Sequence, residues 1–341
     1  MTPPSIPVGV ATGVGSWPGE DPREAAAVAV GELSALPHLV ELPARGLGAD
    51  LIGRAAAVLV DLPLDTSTTG YRVAQRPGKV TRRARDLLSR DLDAMEEAWE
   101  VAGLRGTDQP VKVQVVGPLT LASQLELFGG HRALTDAGAV RDLAESLAEG
   151  IAAHVGDVTR RLGSPVVVQL DEPGLPAVLD GTLPGVSILQ TPRAMPEPEA
   201  LDVLQTLIAR LDRPVLVHCC AAGAPLALLR RSGAAMIGLD VALLRSADLD
   251  GVGEILQDGL PLALGLVPTV KPDRAPTWRE LAEPAVRLVD RLGFPRTVLA
   301  TQVLVTPACG LAGAGEDWAR SALRGAAEVA RAFADGAEFD R

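Results

Sequence analysis

The chain has 341 residues and a formal net charge of −11, is 47% hydrophobic and only 3% aromatic, and contains 35 Gly and 27 Pro. This length allows one large domain or two ordinary ones. The acidic balance, with no run of Lys or Arg, argues against nucleic-acid binding, because phosphate contacts supply most of that affinity. No uncharged stretch reaches the roughly 18 residues of a membrane span, and Met1-Thr-Pro-Pro-Ser does not begin a secretory signal. We therefore expect a cytoplasmic protein without nucleic-acid or membrane partners.

Short runs rich in Val, Leu and Ile recur along the chain, and each ends at a Gly, a Pro or a polar cluster. They predict eight strands, at residues 8–15, 39–42, 111–116, 166–170, 215–218, 236–240, 262–266 and 298–305. Several of these runs are apolar throughout, which is typical of parallel strands buried on both faces. Segments with apolar residues at helical spacing lie between them, including those that begin at Leu88, Leu143 and Leu201.

Strands that alternate with helices eight times indicate an α/β fold of the (β/α)8 TIM-barrel class. No shift in composition marks a second domain, so we predict one barrel over residues 1–341. The alternative is a doubly wound sheet, but Gly13-Val-Gly-Ser-Trp-Pro18 lacks the third glycine of a dinucleotide fingerprint. The two longest irregular stretches, residues 61–79 and 173–197, are expected to be loops over the carboxyl-terminal ends of the strands.

Metal-binding side chains concentrate where the predicted strands end, which is the face of a TIM barrel that carries the active site. His218 and Cys220 end one strand two residues apart and therefore point to the same face, whereas Cys219 points toward the helices. Asp240 ends the next strand, and Cys309 follows the last one. One imidazole, two thiols and a carboxylate form a donor set suited to tetrahedral zinc. The alternative is that the cysteines are packed core residues and that Asp240 is an ordinary strand-end carboxylate.

Polar side chains also follow other strands and are candidates for binding a substrate. Asp171 lies in phase with Gln169 and faces the cavity, whereas its neighbour Glu172 lies out of phase. A carboxylate in this position can hold a substrate ammonium group. Ser16 follows the first predicted strand and Glu41 lies near the end of the second, so both are further candidates. Their alternative roles are structural, as caps of the loops that follow.

Five motifs carry a resemblance to a known family, and they span almost the whole chain: Gly15-Ser-Trp-Pro18, Val116-Gly-Pro-Leu-Thr120, Gln169-Leu-Asp-Glu-Pro173, His218-Cys-Cys220 and Pro307-Ala-Cys-Gly-Leu311. With these motifs in this order, the sequence resembles the C-terminal catalytic barrel of cobalamin-independent methionine synthase. More broadly, it resembles the superfamily that also contains uroporphyrinogen decarboxylase.

The resemblance implies a zinc-dependent enzyme that transfers a methyl group to the thiol of homocysteine and gives methionine. The implied zinc ligands are His218, Cys220, Cys309 and, in place of the family's Glu, Asp240. The implied contacts to the amino group and carboxylate of homocysteine are Ser16, Glu41 and Asp171. We predict that the two acidic residues, Glu41 and Asp171, are also catalytic. Zinc binding would deprotonate the thiol and make it nucleophilic.

The methyl donor and two other functions remain open at this point. The family has an Asp and a His in the stretch that here reads Gly265-Leu-Val-Pro-Thr-Val-Lys-Pro272, which contains neither, and Ala308 replaces another Asp. The donor is therefore methyltetrahydrofolate or a methyl-corrinoid, the latter on a carrier protein or free. One alternative is a metal-free, uroporphyrinogen-decarboxylase-like enzyme, which needs basic residues near the first strand, where residues 8–22 have none. The other is a non-catalytic barrel that binds zinc or a thiol.

Overall fold

The structure is a computed structural model that describes residues 5–184 and 192–336. Its strands are β1 (Leu64–Thr66), β2 (Tyr71–Val73), β3 (Val111–Val116), β4 (Leu125–Glu126), β5 (Val166–Asp171), β6 (Val215–Cys219), β7 (Met236–Asp240), β8 (Leu262–Val267) and β9 (Val303–Pro307). Its α-helices are α1 (Pro22–Glu32), α2 (Leu51–Val58), α3 (Lys79–Val101), α4 (Pro118–Gln124), α5 (Ala137–Leu162), α6 (Leu175–Asp180), α7 (Glu197–Arg210), α8 (Leu226–Arg231), α9 (Leu249–Gln257), α10 (Trp278–Leu292), α11 (Val298–Thr301) and α12 (Glu316–Ala334).

A curled sheet of six parallel strands forms the centre of the described chain. The strands pair in the order β3-β5-β6-β7-β8-β9, so that each pairs with the next strand along the chain that belongs to this sheet. A doubly wound sheet would reverse its strand order at a switch point, and this sheet has no reversal. The prediction of an α/β fold with a parallel, TIM-like sheet is confirmed at this level.

The first predicted strand, residues 8–15, does not form a regular strand. Ala11 makes an isolated parallel bridge to Val305 of β9. The backbone φ angle is 69° at Gly9 and 149° at Gly15, and these angles leave the region of an extended strand. The glycines therefore bend the segment near both of its ends, and its pairing with β9 is confined to a few backbone hydrogen bonds, such as that from the Thr12 N–H to the Val305 carbonyl at 3.0 Å.

The second predicted strand, residues 39–42, is also reduced to isolated contacts. His38 makes a parallel bridge to Lys112 of β3, and Ser16 makes one to Glu41. Backbone bridges thus connect the β9 edge of the sheet to the β3 edge through two irregular segments. The prediction of two regular strands here was wrong, but both segments lie beside the sheet.

The prediction for residues 298–305 was wrong in its first half. Val298–Thr301 is the short helix α11, and β9 begins only at Val303. The Val298 N–H donates to the Pro295 carbonyl at 3.0 Å, so a turn begins at this proline. Val298 and Leu299 are buried. Burial in this turn outweighs the strand preference of valine, which depends strongly on context.

Two apolar layers lie on opposite faces of the sheet. The outer face packs against the helices in one large core. The inner face carries a separate apolar plug, formed by Ile6, Leu36, Val167, Leu216, Met236, Ala263 and Leu304. Side chains alternate along a strand. His218, two residues after Leu216, and Asp171, four after Val167, therefore point to the inner side, toward the carboxyl ends of the strands.

The two long stretches predicted as loops contain regular structure. In residues 61–79, β1 and β2 form an antiparallel hairpin, and β2 also pairs in parallel with β4. The stretch 173–197 contains α6, and its residues 185–191 lie outside the described part of the chain. None of the helices described has both the length and the apolar character of a membrane span.

Candidate active site

The predicted site residues converge on one cavity at the carboxyl ends of the strands. Its volume is about 230 Å³, and its polar lining residues are Ser16, Glu41, Asp171, His218, Cys220 and Cys309. Apolar side chains, among them Val14, Pro43 and Leu51, form much of the remaining wall. Six of the seven residues predicted from the sequence therefore line one small cavity.

Three of the predicted zinc ligands come together in this cavity. The ligand atoms of His218, Cys220 and Cys309 all lie within 4.8 Å of one another. His218 belongs to β6, Cys220 follows this strand directly, and Cys309 lies just beyond β9. One imidazole nitrogen and two sulfurs are the donors that zinc prefers, so the residues present fit this metal. Cys219 instead belongs to the outer apolar core, where burial raises its pKa to about 12.

The two cavity thiols are hydrogen-bonded to each other. A hydrogen bond joins the Sγ atoms of Cys220 and Cys309. This hydrogen bond lowers the pKa of Cys309 to about 6, and the nearby His218 acts in the same direction. The same bond raises the pKa of Cys220. The hydrogen bond therefore favours a thiolate at one of the two positions, and thiolates are the form in which cysteines bind metals.

The fourth predicted ligand, Asp240, is not part of this group. It ends β7 and is half-buried, and burial raises its pKa. Its Oδ1 accepts a hydrogen bond from the Ala242 N–H at 2.9 Å and so caps the turn that follows. Its role as a metal ligand stays a prediction.

Asp171 and Glu172 point in different directions, as their phase in the strand predicted. Asp171 lines the cavity, and its Oδ1 lies 2.8 Å from His218 Nδ1. Glu172 is buried beneath the start of α4, where it accepts hydrogen bonds from the backbone N–H groups of Leu119 and Thr120 at 2.9 and 2.7 Å. A carboxylate at a helix N-terminus satisfies otherwise unpaired donors. Glu172 therefore has a structural role.

This contact also explains the glycine in the motif Val116-Gly-Pro-Leu-Thr120. A Cβ atom on Gly117 would lie only 2.3 Å from Glu172 Oε1. The motif that begins at Val116 and the motif around Glu172 are therefore two sides of one packing contact beside the cavity.

Glu41 is a buried carboxylate with a raised pKa. Desolvation is the main cause and raises the pKa to about 7, against the opposing effect of Arg54, while the charge of Asp171 raises it further. Arg54 Nε lies 3.3 Å from Glu41 Oε1, and Arg54 Nη1 lies 2.7 Å from Asp91 Oδ2. Arg45 also pairs with Asp91, at 2.8 Å. Glu41 therefore ends a buried chain of alternating charges.

Ser16 contacts both Glu41 and the segment that follows Cys309. Its carbonyl accepts a hydrogen bond from the Leu311 N–H at 2.8 Å, and its backbone pairs with Glu41. A Cβ atom on Gly310 would lie 2.0 Å from Ser16 Oγ, so only glycine allows this close approach next to Cys309. The glycine of the Pro307-Ala-Cys-Gly-Leu311 motif thus leaves room for the Ser16 hydroxyl next to the residue that follows Cys309.

Four buried polar residues around the site were missed in the sequence. Arg54 and Asp91 lie on helices, and Lys112 and Gln114 lie on β3. A signal was present for Asp91, which falls three residues after Leu88 on the apolar face of α3. Another signal was the alternation of polar side chains with valines in Val111-Lys-Val-Gln-Val-Val116.

Comparison with known proteins places these observations in a family. The family described as cobalamin-independent synthase, catalytic domain, matches residues 9–332. The chain belongs to this family. No curated protein sequence matches it significantly. Family membership supports an enzyme of the methionine synthase type, a methyltransferase.

Two solved structures share the fold at low sequence identity. One is a B12-independent methionine synthase from Shewanella sp. W3-18-1 in complex with selenomethionine, with 12% identity, a TM-score of 0.63, and coverage of 97% of this chain and 99% of the other. The other is a methyltransferase from Methanosarcina mazei, with 16% identity, a TM-score of 0.57, and coverage of 99% and 95%.

Proposed function

We propose that this chain transfers a methyl group to the thiol of homocysteine in a zinc-dependent reaction that gives methionine. The observation that carries the proposal is the shared cavity, which is lined by two thiols, an imidazole and two carboxylates, one of which, Asp171, contacts His218 directly at 2.8 Å. The family match agrees with it.

His218, Cys220 and Cys309 would hold the zinc, with Asp240 as the fourth ligand after a movement of its side chain. When bound, zinc lowers the pKa of a coordinated thiol, so that the thiolate is available as a nucleophile. The sulfur would form a bond to the methyl carbon. The bond between the methyl group and its donor would break, and its electron pair would leave with the donor.

Glu41 and Asp171 would bind the ammonium group of homocysteine, and Ser16 would bind its carboxylate. Among the described residues that line the cavity, none is Lys or Arg, so the lining favours a cationic group over an anionic one. A cavity of about 230 Å³ is below the usual range for cofactor-sized ligands and suits a small amino acid. Both points disfavour the decarboxylase-like alternative, whose tetrapyrrole substrate is large and anionic.

The proposal includes two methyl donors, methyltetrahydrofolate and a methyl-corrinoid. The loop after β8 supplies no acidic or imidazole group at Pro268 or Val270, and the Pro268 carbonyl accepts a hydrogen bond from Trp318 Nε1 at 3.0 Å. A methyl-corrinoid needs no proton on its leaving group, so we expect it to be the better donor. We also propose that residues 8–15 and 39–42 complete a closed (β/α)8 barrel that forms one domain.

The experiment is a zinc analysis followed by methyl-transfer assays with both donors on the same preparation. About one zinc per chain together with methionine formation supports the proposal. Zinc without methyl transfer from either donor would favour the non-catalytic alternative. No zinc and no transfer would contradict the proposed site.

A further inference from the structure

A buried lysine lies beneath the cavity, and the proposed reaction does not use it. Lys112 is fully buried on β3, and its Nζ donates to Gln169 Oε1 at 2.7 Å and to the Val14 carbonyl at 3.2 Å. Burial lowers its pKa to about 8, against the opposing effect of Asp171 and Glu41, so it remains mostly an ammonium at pH 7. Burying a charge costs stability, and an apolar residue would avoid this cost.

In the chain of hydrogen bonds that connects Lys112 to His218, the donor and the acceptor of each bond can be assigned. An ammonium group has only donors, so Gln169 turns its Oε1 toward Lys112. The Gln169 Nε2 group then donates to Asp171 Oδ1 at 2.7 Å and to the Val14 carbonyl at 2.8 Å. Asp171 Oδ1 also lies 2.8 Å from His218 Nδ1. Since a carboxylate can only accept, the proton of a neutral His218 lies on Nδ1.

We propose that Lys112 and Gln169 are positioning residues that hold Asp171 in place and thereby fix His218 in the tautomer that offers Nε2 to the metal. The metal part of this inference rests on the proposed function. Groups that hydrogen-bond to a metal-ligating histidine typically change metal affinity by 10–100-fold. No hydrogen bond from a described residue occupies Asp171 Oδ2, so this oxygen remains for the substrate ammonium group.

The first test reads the tautomer directly in the metal-free protein. The chain has four histidines, so ¹⁵N-labelled imidazole resonances can be resolved, and a His218→Ala variant assigns the resonance of interest. We expect the Nδ1–H tautomer in the wild type. The Lys112→Met variant keeps the length of the side chain but removes its donors, so Gln169 is no longer anchored and we expect a mixture of tautomers. An unchanged spectrum would overturn the role of Lys112.

The second test measures zinc affinity by competition with a chelator. We expect 10–100-fold weaker binding for Lys112→Met and for Gln169→Met, and no further loss in the double variant, because both residues act through one chain of hydrogen bonds. If Lys112→Met does not fold, Gln169→Met carries both tests. We call the hydrogen-bonded chain from Lys112 through Gln169 and Asp171 to His218 the relay. Wild-type zinc affinity in a folded variant, or simply additive losses in the double variant, would contradict it.

A matched control separates this role from general stabilisation of the interior. Thr12 is fully buried, and its Oγ1 donates to the Leu36 carbonyl at 2.8 Å, outside the relay. Thr12→Val is expected to lower stability without changing the His218 tautomer or the zinc affinity. If Thr12→Val shifts both readouts like Lys112→Met, the relay is only structural. If the wild type binds no zinc, the proposed function fails, and the spectra still decide whether Lys112 and Gln169 fix the tautomer.

Discussion

The two sides of the cavity are built in different ways. The thiol side consists of His218, Cys220 and Cys309, which extend directly from the ends of β6 and β9. The carboxylate side consists of Glu41, which pairs with Arg54, and Asp171, which Lys112 supports through Gln169. The donor atoms of the thiol side therefore come from the strand ends themselves, whereas the carboxylate side depends on charges brought in from α2, α3 and β3.

This difference has an electrostatic reason. Cysteine and histidine can be buried in neutral form, so the ends of two strands can carry them without a buried counter-charge for each. Two carboxylates near each other repel and lose hydration, as the raised pKa of Glu41 indicates. Arg54 on one side and Lys112, through Gln169, on the other offset this cost. Removing Arg54 should therefore disturb the carboxylate side first, whereas Lys112 and Gln169 also reach the thiol side, through Asp171 and His218.

The largest expected effect is on the thiol side. Cys309→Ala should abolish zinc binding and reduce methyl transfer by at least about 10³-fold, while the fold is kept, because this residue supplies one of three clustered donors. Metal analysis, activity and circular dichroism check this. Cys219→Ser is the matched control, since Cys219 lies in the outer core and should leave zinc content unchanged. Retained zinc in Cys309→Ala, or equal losses in both variants, would show that the ligands were assigned wrongly.

The next effect is on the stability of the carboxylate side. Arg54→Leu leaves Glu41 without its cation and Asp91 with Arg45 alone, and loss of one partner of a buried pair costs about 3–5 kcal/mol of unfolding free energy. Urea denaturation of the metal-free protein measures it.

The exposed pair between Arg23 and Glu97 provides the control for Arg54→Leu, because Arg23→Leu should cost less than about 1 kcal/mol. Zinc content should stay normal in both variants. Equal stability losses would mean that burial of the charges does not matter.

The same contrast explains what could be predicted from the sequence. The zinc-ligand candidates lie at the ends of apolar strands, and a two-residue spacing determines which of them share a face. Glu41 and Asp171 were found in the same way, but Arg54, Asp91 and Lys112 were not, because their partners lie far away in sequence. The irregular first segments were also missed, since glycine conformation interrupts a pattern of apolar residues that otherwise reads as a strand.

A moderate effect concerns pH. The folded pKa of Glu41 is raised to about 7, so its stability contribution is fully present below its unfolded value near 4.5 and is lost as the pH rises through 7. The affinity for homocysteine should instead increase as the pH rises, because its ammonium group binds to the ionised form of Glu41. Homocysteine affinity should therefore be about tenfold higher at pH 8 than at pH 6 from this group alone. Binding titrations on zinc-loaded protein measure it.

Glu41→Gln should remove the part of the pH dependence of homocysteine affinity that comes from Glu41. The part that comes from the homocysteine thiol should remain. Glu172→Gln is the matched control, because Glu172 is equally buried and has a pKa raised to about 7, but it faces the start of α4. Its replacement should change the pH dependence of stability and not that of homocysteine binding. A wild-type pH profile of binding in Glu41→Gln would exclude Glu41 as the ammonium-binding group.

The smallest effect concerns Ser16, which lies between the two sides. Ser16→Ala removes one hydroxyl beside Gly310 and should raise the KM for homocysteine by about fivefold, the value of one hydrogen bond, with zinc content and kcat unchanged. Ser123→Ala is the control, since its hydroxyl donates to the Thr120 carbonyl within α4 and does not line the cavity. A loss of zinc in Ser16→Ala would mean that this residue positions Cys309 through the adjoining glycine. The two sides would then depend on each other at Ser16 as well as through the hydrogen bond between Asp171 and His218.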